Sequence, residues 1–173
     1  MSLYTVVTDT VVDIVYIAYD KTLEVWRVFE EFHSAGKVKQ LGISNFYDPS
    51  AVARLYADAT VKPSVIQNRF YSDSEYDTTI RKFCNENNII YQSFWTLTAN
   101  PIIINSNAVK KMAETRGVTT AQIFFRFMMD IGVVPLTGTA NETHMKQDLA
   151  VLDMPSLSSD EIQMINDMLS DSI

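Results

Sequence analysis

Short apolar runs alternate with amphipathic stretches from one end of the chain to the other. Val11-Val12-Asp13-Ile14-Val15-Tyr16-Ile17 is β-branched and almost continuous, the pattern of a strand covered on both faces. Lys21 to Ala35 follows with Leu23, Trp26, Val28, Phe29 and Phe32 near helical spacing, and Gly36 stops that helix. Val38 to Ser44 predicts a second strand. Pro49 to Ala59 predicts a helix with Asp48 as N-cap and Pro49 in the first turn. Pro63 to Gln67 reads as a third strand, Asp73 to Asn87 as a third helix and Asn88 to Ser93 as a fourth strand. A long connection, Phe94 to Asn105, carries Pro101 and Ile102-Ile103-Ile104. Helices over Ser106 to Arg116 and Thr119 to Asp130 follow, then a fifth strand at Gly132 to Leu136. Asn141 to Val151 is helical. Ser158 to Asp171 closes the chain behind a capping box of Ser158 and Glu161.

A strand–helix beat repeated five times predicts parallel strands with right-handed helical crossovers. An open doubly wound sheet and a part of a closed barrel both fit it. An eight-unit barrel needs at least about 200 residues, so 173 residues cannot close one. Length also predicts a single domain spanning 1–173. The net charge of −7 disfavours partners with phosphate backbones and anionic membrane surfaces. No apolar run is long enough to span a bilayer, and no basic, secretory-type start opens Met1 to Thr10. The one cysteine, Cys84, has no partner for an internal disulfide and reads as a buried, inert thiol, which points to a reducing, cytoplasmic setting.

Ligands of parallel α/β folds sit at the carboxyl ends of the strands. Here those ends carry Ser44, Asn45, Gln67, Asn68, Gln92, Ser93, Thr137 and Thr139, which bind neutral hydrogen-bonding ligands but transfer protons poorly. Phe94 and Trp95 add flat surfaces for a heterocycle. Thr137-Gly138-Thr139, ahead of a helix start, suggests a small anion-binding turn with free backbone amides. His33 falls within a helix, as a surface or half-buried residue. His144 falls in the first turn after Thr139, where it could touch a phosphate. Asp73, Glu75 and Asp77 read as a solvated acidic loop. No metal-ligand spacing and no Ser/His/Asp or Cys/His set is present.

The stretch Gly36 to Phe46, GKVKQLGISNF, resembles a signature of the aldo-keto reductases. Pro63 to Phe70, Tyr91 to Thr98, Thr120 to Arg126 and Val133 to Thr139 resemble further segments of that family in the same order. The resemblance covers the family's fourth to eighth strand–helix units. It implies an incomplete (half) TIM barrel of about five strands with flanking helices, and a site for NADP or NAD. By that resemblance Ser44, Asn45 and Gln67 would bond the nicotinamide carboxamide and Phe94 would stack on its ring. Thr137, His144 and Asp148 would fall near the adenosine phosphate.

Several positions depart from the family. Leu136 stands where the family has Lys, His144 where it has Arg, and Gln147-Asp148 where it has Glu-Asn, so the grip on a 2′-phosphate is weakened. The family's catalytic Asp, Tyr and Lys have no counterpart, and its His aligns with Ala18. Tyr16 and Tyr19 are nearby phenols that nothing marks as a substitute acid. The expectation is a protein inactive alone, with a residual nucleotide pocket or an association role. The alternative is an NAD(P)H-dependent carbonyl reductase completed by a longer chain or a partner. Open barrel edges predict a homodimer, or an extra strand from Tyr4-Thr5-Val6-Val7 covering one edge.

Overall fold

A computed structural model describes residues 19–173 throughout and, for residues 11–15, the backbone. Ala18, Tyr16 and the Tyr4 to Val7 stretch lie outside the described residues, so the expectations placed on them stay where the sequence left them. Five strands follow one another in chain order across one sheet: β1 (Val11–Val15), β2 (Gln40–Ser44), β3 (Val65–Arg69), β4 (Ile90–Phe94) and β5 (Val133–Pro135). β1 pairs parallel with β2 and β2 with β3, in a register that sets Ser44 opposite Gln67. Each strand is followed by helical structure, and among the described residues the sheet stays open. The fold is a partial barrel of parallel βα units.

The chain divides into two compact units. Among the described residues, the first holds those up to Asn68 together with 77–92; the second holds 69–76 and 93–173. In the first, α1 (Tyr19–Ser34) packs on β1 and β2, and α2 (Pro49–Asp58) packs on α3 (Thr78–Glu86). Trp26, Leu41, Ile43, Phe46, Leu55, Ile66 and Ile80 form its core. The expected stops and caps are present. Gly36 takes φ +70, a left-handed conformation open to glycine at no steric penalty, and Asp48 accepts the Ser50 amide at the start of α2.

The second unit is organised around α6 (Thr120–Asp130), which packs on β5 and on four other helices. These are α4 (Pro101–Ile104), α5 (Asn107–Arg116), α7 (Glu142–Ala150) and α8 (Ser159–Ser170). Phe70, Phe124 and Phe127 are fully buried, with Phe124 and Phe127 stacked at 5.8 Å between centroids. Capping boxes start both α6 and α8.

Two elements differ from the sequence expectation. The helix expected over Asp73 to Asn87 begins only at Thr78, because Glu75, Tyr76 and Asp77 adopt left-handed backbone at φ 51, 52 and 50. Such conformations cost about 1–3 kcal/mol each and persist where the surroundings over-determine them. Here the Tyr76 ring lies 4.9 Å from that of Phe70, and Asp77 accepts hydrogen bonds from Asn68 and Tyr91. The connection from Phe94 to Asn105 contains the short helix α4. Pro101 opens it, and the Asn100 amide braces it against the carbonyls of Phe70 and Thr96.

Candidate functional site

In the first unit the parallel register of β2 and β3 carries Ser44 and Gln67 to the same end of the sheet. Ser44 is 7% exposed and its hydroxyl donates to the Gln67 carbonyl at 2.9 Å. Asn45 leaves the strand at φ 56. Its backbone N–H donates to the same carbonyl at 3.1 Å, and its side-chain amide to Ser44 Oγ at 3.2 Å. Gln67 Nε2 donates to Gln92 Oε1 at 3.0 Å. Three of the residues expected from the sequence, Ser44, Asn45 and Gln67, are therefore brought together. The structure adds Gln92, whose place at a strand end was visible in the sequence but whose pairing with Gln67 was not.

Beneath this cluster lies a buried polar group. Asn68 is fully buried and Asp77 only 4% exposed, so the acidic loop expected to be solvated is corrected at that residue; Asp73 and Glu75 are exposed. Asp77 Oδ2 accepts from Asn68 Nδ2 at 2.6 Å and from the Tyr91 hydroxyl at 2.8 Å. Burial, then the neighbouring Asp77 carboxylate, pushes the Tyr91 phenol far above its ordinary pKa. Nothing in the acidic run distinguished Asp77 from its neighbours by type; only the fold selects it. Tyr19 opens α1 with its hydroxyl on Asp58 at 2.5 Å and the Arg54 guanidinium 3.8 Å over its ring. Burial and the Asp58 carboxylate raise its pKa to about 12.

In the second unit Phe94 is half-buried at the end of β4, and the Phe70 amide donates to its carbonyl. Trp95, next to it, is 57% exposed with the Arg69 guanidinium 4.1 Å over its ring. Thr137 donates to Asp148 Oδ2 at 2.5 Å, which brings two of the expected phosphate-region residues together. His144 is exposed. Its main-chain N–H and that of Thr143 both donate to Asn141 Oδ1, at 3.2 and 2.9 Å. Two of the amides at this helix start are thus capped by the chain's own side chain.

The second unit also holds a cavity of about 740 Å³, lined by Phe125, Met129, Val134 and Leu149 and, at its polar side, by Thr137 and Asp148. Leu149 and Leu152 are 67% and 64% exposed, large values for leucine beside an apolar cavity.

The model of the aldo/keto reductase family matches residues 2–102. The chain belongs to the aldo/keto reductase family. Among curated relatives, (1S)-1,7-diacetoxy-luvungin A aldo-keto reductase of Citrus sinensis is 29% identical over 150 residues, covering 82% of this chain and 45% of that protein. The crystal structure of an aldo/keto reductase from Brucella melitensis superposes with a TM-score of 0.81 at 22% identity, over 93% of this chain and 62% of that one. Gox0644 D53A, crystallised in complex with NADPH, does so at 0.81 and 24%, over 92% and 58%. The chain spans about half the length of the curated relatives it matches. Among the described residues no helix is long and apolar enough to cross a membrane.

Proposed function

We propose that these 173 residues keep the carboxamide-binding part of an aldo/keto reductase and do not reduce carbonyls unaided. The observation that carries the reading is the Ser44–Asn45–Gln67–Gln92 cluster. A nicotinamide carboxamide presents one carbonyl acceptor and two N–H donors. With Gln67 Nε2 already on Gln92 Oε1, Gln67 Oε1 would accept from the ligand's amide, and Gln92 Nε2 and Asn45 Nδ2 would donate to its carbonyl. A bound reduced nicotinamide would supply a hydride. The residues of the cluster would hold and orient the ring, and none has a pKa suited to proton transfer. The alignment of the family's His with Ala18 supports the lack of unaided reduction, because a methyl group cannot polarise a carbonyl oxygen.

The nucleotide is NAD(H) at least as readily as NADP(H). A 2′-phosphate brought to Thr137 would meet the Asp148 carboxylate, with Leu136 and His144 where the family has Lys and Arg. Lys146, the nearby cation on α7, is already paired with Glu142 at 2.7 Å. The crystal structure of a relative with NADPH shows that the fold family accommodates such a dinucleotide in that protein. A reducing, cytoplasmic setting is proposed on the single buried thiol, Cys84.

Calorimetric titration with NADH and NADPH tests the reading. Saturable binding is expected, weakened about tenfold by Gln67→Ala through loss of one or two hydrogen bonds. No oxidation of either nucleotide by 4-nitrobenzaldehyde should exceed that of the Gln67→Ala control. Absence of binding, or aldehyde reduction above the control, would defeat it. The second reading is a carbonyl reductase whose Asp, Tyr and Lys come from a longer chain or a partner. It is favoured by the share of its relatives' length that the chain covers. Aldehyde reduction that appears only with a copurifying second chain would establish it.

A further inference from the structure

We infer that Asp77, acting through Asn68, is a positioning residue that fixes the Ser44–Phe46 turn, an inference that rests on the carboxamide-site reading above. β2 ends at Ser44, and the left-handed Asn45 turns the chain out of the sheet. Where the backbone ladder stops, the Asn68 side chain continues it. Its Oδ1 accepts the Phe46 N–H at 2.9 Å and its Nδ2 donates to the Phe46 carbonyl at 2.9 Å. One buried amide therefore holds both polar groups of the residue directly after Asn45.

An amide can be turned end for end, and only one orientation makes both bonds. Asp77 selects it. A carboxylate accepts and does not donate, so Asp77 Oδ2, at 2.6 Å, demands the nitrogen end of Asn68. The flipped amide would set oxygen against oxygen at Asp77 and N–H against N–H at Phe46. Tyr91 holds the same carboxylate oxygen at 2.8 Å, and its raised pKa keeps the phenol a donor. All four groups are buried, so water does not stand in for a missing partner. The turn that carries Asn45, whose side chain bonds Ser44 Oγ and accepts from the Tyr47 hydroxyl at 3.3 Å, is thus held by Tyr91, Asp77 and Asn68, none of which belongs to the proposed carboxamide cluster.

The test follows the Phe46 amide by hydrogen exchange in Asp77→Ala, Asp77→Asn and Tyr91→Phe, beside NADH affinity. In Asp77→Ala the Phe46 amide should exchange about tenfold faster, with the Ile43 amide in the adjoining strand unchanged, and the Kd for NADH should rise about fivefold. Asp77→Asn should restore both to within about twofold, because its amide oxygen can accept from Asn68 and Tyr91 together. Unchanged Phe46 exchange in Asp77→Ala would overturn the inference, as would faster exchange with unchanged NADH affinity or a failure of Asn to restore either. If Asp77→Ala does not fold, Tyr91→Phe decides: a rise of about threefold at Phe46 supports the clamp, and no change removes it. Should the native protein bind no NADH, the carboxamide reading fails, while the Phe46 exchange rates still decide whether Asp77 sets the turn.

Discussion

The Ser44 hydroxyl makes two hydrogen bonds: it donates to the Gln67 carbonyl and accepts from Asn45, whose backbone N–H shares that carbonyl. Replacing it by alanine leaves the Asn45 amide without its acceptor in a part-buried place. Ser44→Ala is expected to cost about 1 kcal/mol of stability, read as a lower urea midpoint, and to weaken NADH about tenfold. An unchanged affinity would detach Ser44 from the binding role. Cys84 gives an independent check on the first unit. It is buried on α3, and burial, with a contribution from Asp77, raises its thiol to about 12. At about pH 8 the folded protein should therefore react with a disulfide reagent only as fast as it unfolds, and prompt labelling would contradict the burial. Ser44, Asn45 and Gln67 were legible as a group because strand ends converge in any parallel fold. Asp77 was not legible, because its chemistry is that of Asp73 and Glu75 and only burial separates them.

Two carboxylates tie helices to loops and make the elements acid-sensitive. Burial by itself would raise the pKa of Glu30. Hydrogen bonds from Arg27 on the same helix and from the Val61 and Thr60 amides outweigh it, and the carboxyl lies below its ordinary 4.5. In the second unit burial likewise opposes ionisation of Asp130. Arg126 and the Leu157 amide prevail, so it lies below its ordinary 3.8. Depressed folded values mean that both contribute stability in full above those ordinary values and lose it as pH falls through the lowered ones. The melting temperature should be level above about pH 5 and fall below about pH 4, less steeply in Glu30→Gln. An equally steep fall in that variant would remove Glu30 from the account. At α7, Asn141→Ala removes the acceptor for two amides and should destabilise the protein by about 1 kcal/mol in urea titration. Most elements were legible from periodicity and caps. The turn before α3 was not, since Tyr76 and Asp77 find tertiary partners that outweigh a local helical pattern.

At the scale of the molecule, strand order puts β5 at one end of the sheet, beside the apolar cavity of the second unit. We propose that a second copy of the chain pairs along the β5 edge. An edge strand with an exposed apolar rim at Leu149 and Leu152 is a pairing surface that a two-fold axis can use twice. Light scattering should give the mass of a dimer at micromolar concentration and that of a monomer for Leu149→Glu, with helical circular dichroism preserved. A monomeric native protein would end the proposal. Periodicity, caps and ordered motifs by themselves determined the parallel βα succession and the family, because those signals are local and repeat along the chain. They also located the amide-rich strand ends. Tertiary structure alone decided that Gln92 joins Gln67 and that Asp77 is buried under the Asn45 turn. Each of these depends on which distant groups lose water together, and burial is set by the packed fold rather than by neighbours in sequence.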